Sequence, residues 1–261
     1  VNVMTPMDQA GTHVWQGAAA SAQADRDHDR VGLLSPGELD RASLLAPDTA
    51  RLYLASHVAT RRILAGYLDR DPAELQLGRR VCPQCADPLH GAPAVSWPRT
   101  TLSFNLTASG GSWLLAVTHG QPLGVDLAIA SGTDPERAAP LALTAQELDR
   151  LHRLTDPQLR RALFLRAWTR KEAVVKAVGV GLVTDLRQIE VAPERPGPVR
   201  VRFGVGSSPR EWTVQDLPLG PGRFAAVARP APAAGRVQLC EYSDQALYAL
   251  APLSSQAAIA A

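Results

Sequence analysis

The segment from Asp156 to Gly179 constrains the chain most. Asp156-Pro157 pairs an N-cap residue with a first-turn proline, and Gly179 supplies a stop that needs no Cβ. Between them the spacing predicts the longest late helix, running through Trp168 and Lys176. From Ile189 onward the pattern changes to strands, at Ile189–Val191, Val199–Phe203, Glu211–Asp216 and Arg223–Val227, with Pro and Gly between them. Arg229–Gly235 reads as a linker, Val237–Tyr242 as one more strand, and Ser243 as the start of a short helix.

The first half has the same punctuation. Ser35-Pro36-Gly37-Glu38 is a capping box with proline in the first turn. A longer helix follows Asp48, with Leu52, Val58, Ile63, Leu64 and Tyr67 at helical spacing. Asp71-Pro72-Ala73-Glu74 opens a short helix, and Arg79 to Arg99 reads as a loop. Thr101–Asn105 is a short strand. Ser112–Thr118 is apolar throughout, the pattern of a strand buried on both faces. Gly120–Pro122 turns the chain into Leu123–Leu127, and Asp134-Pro135 and Thr144–Glu147 open two more helices. Residues 1–30 read as a flexible arm, and the Ala-rich end as fraying. Helices, a strand pair, helices and a meander argue for an α+β fold with helices packed on antiparallel sheets.

Composition excludes several classes. The 261 residues carry 27 basic and 25 acidic groups, a formal charge of +2, too balanced for nucleic acid or a membrane surface as main partner. No window approaches the ~18 consecutive apolar residues of a membrane span. Val1 to Arg30 shows no basic segment followed by an apolar core, so no secretory leader is expected there and a cytoplasmic location is. Three cysteines are too few for a disulfide framework. Of the 27 basic residues only Lys171 and Lys176 are lysines. Lysine at two neighbouring positions in an arginine-rich chain points to a compact ammonium that Arg cannot imitate, or to chance and helix propensity.

Four constellations carry chemistry. Trp168, Glu172 and Lys176 are four apart and share one helical stripe, as a solvated ion pair beside a core tryptophan or as a site. Asp126, inside the apolar Leu123–Leu127, either caps a turn at the strand end or must be paired or metal-bound. If Asp126 and Glu172 meet, they offer hard oxygen ligands suited to Mg²⁺ and phosphate oxygens. Phe104–Gly111 ends in small hydroxyls and a Gly pair, either a plain turn or a set of amides for a phosphate. Cys82-Pro83-Gln84-Cys85, with His90 nearby, is half of a zinc site, or less readily a redox pair.

In this order the pieces resemble the surfactin-type 4'-phosphopantetheinyl transferases. Trp168-Thr-Arg-Lys171-Glu172-Ala173…Lys176 with Gly179-Val-Gly181-Leu182 is similar to W-x-x-K-E-A-x-x-K…G-x-G-L. Gly124-Val-Asp126 is similar to G-[IV]-D, Phe104–Gly110 to F-N-[LI]-S-H-S-G, and His90-Gly91-Ala92-Pro93 to H-G-[RK]-P. The resemblance runs from about Arg51 to Arg229. It implies two similar α/β halves in a pseudo-dimeric monomer: 31–121 and 122–229, after an arm at 1–30 and before an extension at 230–261. Coenzyme A would lie between the halves. The implied reaction moves phosphopantetheine from coenzyme A to a serine of an acyl or peptidyl carrier protein of polyketide or nonribosomal peptide synthesis. By resemblance Asp126 and Glu172 hold Mg²⁺, Glu172 takes the serine proton and Lys176 stabilises phosphate charge. Arg61 binds the 3'-phosphate, Thr107 a phosphate oxygen, and Gly91 and Pro93 line the coenzyme. Three positions depart: Ala92, Ala108 and Ala128 stand where the family has a basic residue, a histidine and a second acid. They support a second reading, a relative that keeps the fold but performs another reaction or a binding role.

Overall fold

In a computed structural model the chain is described at residues 11–130, 135–181, 184–206, 209–233 and 235–248. The expectations for residues 1–10, the Asp134 cap, Leu182 and the Ala-rich end lie outside these. The strands are β1 (Thr12–Ala18), β2 (Gln76–Arg79), β3 (Pro93–Trp97), β4 (Leu102–Ser109), β5 (Ser112–His119), β6 (Gly124–Ile129), β7 (Val199–Phe203), β8 (Arg210–Asp216), β9 (Arg223–Pro230) and β10 (Val237–Glu241). The helices are α1 (Ala22–His28), α2 (Pro36–Ser43), α3 (Pro47–Leu68), α4 (Pro135–Ala142), α5 (Ala145–His152), α6 (Pro157–Val178) and α7 (Asp244–Tyr248).

One four-stranded sheet runs β10-β1-β5-β4, the other β6-β9-β8-β7, and β2 pairs β3 apart from both. All neighbours are antiparallel except β1 and β10. Strand parity sorts the core into layers. Leu115 and Val117 pack with Ile63 and Leu64 of α3, while Leu114 and Ala116 pack with Val125 and Val227 of the other sheet. Both faces of β5 are therefore dry, as its apolar run predicts. On β9, Val227 faces the first sheet while Ala226 and Ala228 join the core under α6. The same alternation on β6 sends Val125 and Leu127 inward and turns Asp126 toward α6.

Three expectations need correction. Residues 11–30 are not a loose arm, since β1 lies mid-sheet and α1 is capped by Ser21. The Arg79–Arg99 stretch is not all loop, because Arg79 and Pro93–Trp97 belong to the β2–β3 pair. Ile189–Val191 is buried but forms no strand: the Val191 amide donates to Glu147 Oε1 at 3.0 Å and the Val191 carbonyl accepts from Arg170 at 3.0 Å. Side chains there replace the ladder. No described helix is long and apolar enough to cross a membrane.

Candidate active site

The site begins with a glycine. A Cβ on Gly124 would come within 2.1 Å of the Ala173 carbonyl oxygen and 2.5 Å of the Ala177 amide nitrogen, so only glycine lets α6 approach β6 this closely. The close approach carries Lys176 onto the strand. Its Nζ donates to Asp126 Oδ1 at 2.6 Å, and to Thr107 Oγ1 and the Val125 carbonyl, both at 3.3 Å. Thr107 in turn donates to the same Asp126 oxygen at 3.2 Å. Asn105 on β4 fixes the strand beside it, its Oδ1 accepting from the Val125 amide at 3.0 Å.

Glu172, one turn before Lys176, completes the cluster. Burial, and then the Asp126 charge, push its carboxyl up to about 7, against the pull of Lys176. Burial likewise raises Asp126, with Lys176 and Thr107 offsetting part of the cost. Asp126 Oδ2 and Glu172 Oε1 are buried and have no hydrogen-bond partner. One ammonium thus faces two carboxylates, and the two orphan oxygens are hard donors. A divalent cation of the Mg²⁺ type fits this deficit, satisfying both oxygens and relieving the repulsion.

Lys176 also lines a cavity of about 770 Å³, within the range of small-molecule sites. Its walls come from α2 and α3 (Glu38, Arg41, Tyr53, His57), from the β2–β3 region (Arg79, Gly91, Ala92, Pro93), from β4 (Phe104, Asn105) and from the end of α6 (Gly179, Gly181). Gly91 and Pro93 stand where expected. Gly91 is also sterically required, because a Cβ there would come 2.1 Å from the Arg80 carbonyl oxygen.

Other predicted residues fall elsewhere. Arg61 is not on the cavity wall. It is 4% exposed and donates to Glu38 Oε2 at 2.6 Å and to the Leu75 carbonyl at 2.8 Å. Burial raises the Glu38 carboxyl, but Arg61 and Ser35 together hold it below its ordinary value. The guanidiniums on the wall are instead Arg41, which sequence reasoning missed, and Arg79. Lys171 is not in the site either. It is fully buried, paired with Glu147 Oε2 at 2.5 Å and donating to the Ala142 and Leu186 carbonyls. Trp168 packs against the core under α6, its ring 6.1 Å from that of Phe164. Gly110 and Gly111 form the β4–β5 turn with φ of 55° and 78°. Ala108 is exposed and Ala128 half-buried, and of the three alanines only Ala92 lines the cavity.

Residues 122–228 match the profile of the 4'-phosphopantetheinyl transferase superfamily. The 4'-phosphopantetheinyl transferase HetI of Nostoc sp. is 30% identical over 204 residues, which cover 77% of this chain and 80% of HetI. This chain belongs to the 4'-phosphopantetheinyl transferase superfamily. It is also similar to the putative transferase slr0495 of Synechocystis sp., 31% identical over 161 residues, 60% of this chain and 61% of that one. The L-aminoadipate-semialdehyde dehydrogenase-phosphopantetheinyl transferase of mouse is 25% identical over 163 residues, 56% and 52% of the two chains. The profile match holds Asp126, Glu172 and Lys176, all within the β6-to-β9 portion of this transferase-family chain.

Proposed function

We propose that the protein transfers 4'-phosphopantetheine from coenzyme A to a serine of an acyl or peptidyl carrier protein of secondary metabolism, as a member of the surfactin-type group. The observation that carries this reading is the convergence of Asp126, Glu172 and Lys176 beside a nucleotide-sized cavity, with two buried carboxylate oxygens free. The reaction breaks the pyrophosphate of coenzyme A and forms a phosphodiester at the serine oxygen, releasing 3',5'-ADP. It asks the protein for positioning and charge rather than for a covalent nucleophile.

Asp126 and Glu172 would hold the metal. Bound there, Mg²⁺ would supply charge neutralisation for the pyrophosphate. Glu172 takes the proton of the serine hydroxyl as its oxygen attacks phosphorus. Lys176 stabilises the charge of the leaving phosphate. Arg79 and Arg41 receive the coenzyme's phosphates in place of Arg61, and Thr107 orients Asp126 and Lys176. The two units, each a four-stranded sheet with its long helix, are the two halves of a pseudo-dimeric monomer, meeting near Gly120–Leu123.

The test is direct. The protein is incubated with coenzyme A, Mg²⁺ and an apo carrier, and the carrier is weighed. One phosphopantetheine adduct, lost on chelation and in Glu172→Ala, is the expected result. A folded protein that modifies no carrier in a panel would favour the repurposed relative, for which Ala92, Ala108 and Ala128 are the supporting residues.

A further inference from the structure

The segment between β2 and β3, residues 80–92, has almost nothing apolar to hold it. Cys82 is its one buried residue, while Val81 and Leu89 are exposed at 59% and 82%. Ala86 sits at φ +59°, a conformation that alanine adopts only when its surroundings impose it. The ends are pinched together, Arg80 N–H donating to the Ala92 carbonyl at 2.9 Å. A segment of this kind, lacking a core and folded into a specific shape, needs a staple.

The structure assigns Cys82, Cys85 and His90 as ligands of a zinc-type divalent cation that staples this segment and fixes one wall of the cavity. Their ligand atoms lie within 4.8 Å of one another, and the Cys85 sulfur is 3.3 Å from His90 Nδ1. A tetrahedral zinc with its usual bond lengths needs ligand atoms about 3.5–3.8 Å apart, so binding asks for shifts of about an ångström at most. Both cysteines are free thiols. Two sulfurs and one imidazole select a soft or borderline cation such as Zn²⁺ over Mg²⁺. No fourth Cys, His, Asp or Glu joins the cluster among the described residues, so water fills the fourth position.

The link to the cavity is the histidine. His90 presents Nδ1 to the cysteines, and its Nε2 lies against Gly181, where a Cβ would come within 2.5 Å. His90 and Gly91 both line the cavity. A metal on Nδ1 therefore sets the ring that meets the turn after α6.

The full chain, purified without chelator, is analysed by plasma mass spectrometry. About one zinc per chain is expected, and none in Cys82→Ser/Cys85→Ser. Because that variant can lose its fold, stripped wild-type protein is also titrated with Co²⁺. Tetrahedral visible bands and a thiolate charge-transfer band are expected, with affinity reduced at least tenfold in His90→Ala. Zinc also slows proteolytic cleavage between residues 80 and 92. Folded wild-type protein that takes up neither ion, zinc retained without both thiols, or a Cys82–Cys85 disulfide present under reducing conditions would overturn the assignment. Zinc content is read without coenzyme or carrier, so the result stands apart from the transferase reading.

Discussion

Lys171 and Lys176 are a little over one turn apart on α6, and they live in opposite electrostatic situations. Lys171 meets one carboxylate, Glu147, and two carbonyls, with both charged side chains fully buried. Burial lowers its ammonium, and Glu147 offsets part of the loss. Lys176 pairs with Asp126, lies near enough to Glu172 to pull its carboxyl down, is 26% exposed in its side chain, and leaves Asp126 Oδ2 and Glu172 Oε1 unbonded. The first arrangement is closed and can only hold the helix to its neighbours. The second is short of positive charge and open to a cavity, and so can receive a cation and an anion in turn. A buried charge in this protein is structural where its hydrogen bonds are complete, and a candidate for chemistry where they are not.

The largest expected effect comes from disabling the open side. Glu172→Gln keeps size and removes the base, so transfer falls by about 10²–10⁴-fold while circular dichroism is unchanged. The matching change on the closed side, Lys171→Met, leaves Glu147 buried and unpaired. It lowers stability by about 3–5 kcal/mol in denaturant unfolding, and Lys171→Met/Glu147→Gln, which removes the unpaired charge but keeps an acceptor for the Val191 amide, recovers part of the loss. If Lys171→Met were as stable as wild type but inactive, the distinction between the two lysines would fail.

A pH titration sharpens the same contrast. Glu172 is held at about 7 in the folded protein against an ordinary 4.5. The unfolded chain releases this proton first, so the metal-free protein loses stability as pH rises from 4.5 to about 7, and the full penalty persists above. Glu172→Gln is free of it. Its melting temperature should match wild type near pH 4 and exceed it above pH 7 by the equivalent of about 1–3 kcal/mol. Mg²⁺ with coenzyme A favours the ionised carboxylate and should narrow that gap. Wild-type transfer rises with pH as Glu172 ionises, with a midpoint that moves below 7 as Mg²⁺ is raised.

Much of the open site was legible in the sequence because periodicity carries it. Glu172 and Lys176 follow from helical spacing, and Asp126 is conspicuous in an apolar strand whose parity turns it to α6. Long-range pairing was not legible. β1 owes its place to β10, with Thr12 opposite Val237, and no local pattern announces a partner that distant. The expectation for Arg61 rests on the family resemblance alone, and no local pattern announces that its guanidinium pairs with Glu38, a carboxylate that in the fold also caps α2. Lys171 misled because rarity of lysine marks a need for an ammonium without saying whether the need is catalytic or structural. Arg41 carried no signal at all, since a cavity wall is assembled from elements that only the fold brings together.

Cations follow the same rule, and here the effects are smaller. Arg79 donates to the Gly91 carbonyl at 2.8 Å and is otherwise exposed on the wall, whereas Arg61 is committed to Glu38. Arg79→Ala should raise the KM for coenzyme A by about 10–100-fold, the worth of a charge-assisted hydrogen bond, with kcat little changed. Arg61→Ala should instead lower stability, with KM unmoved in the protein that remains folded.

Adding a cation is the gentlest test. Ala92 lines the cavity, its Cβ within 3.4 Å of where a Cβ on Gly179 would sit. A lysine there carries its ammonium on a flexible stem long enough to leave that contact and reach into the open volume. Its charge would sit in partly screened water, so the gain is set by exposed rather than buried electrostatics, about 0.5–1 kcal/mol. Ala92→Lys should therefore lower the KM for coenzyme A about two- to fivefold, and the gain should shrink as ionic strength rises. The same lysine at Ala108, which is exposed and off the cavity wall, should leave KM where it was. Equal gains at both positions would mean that general charge, rather than the wall of this cavity, attracts the coenzyme.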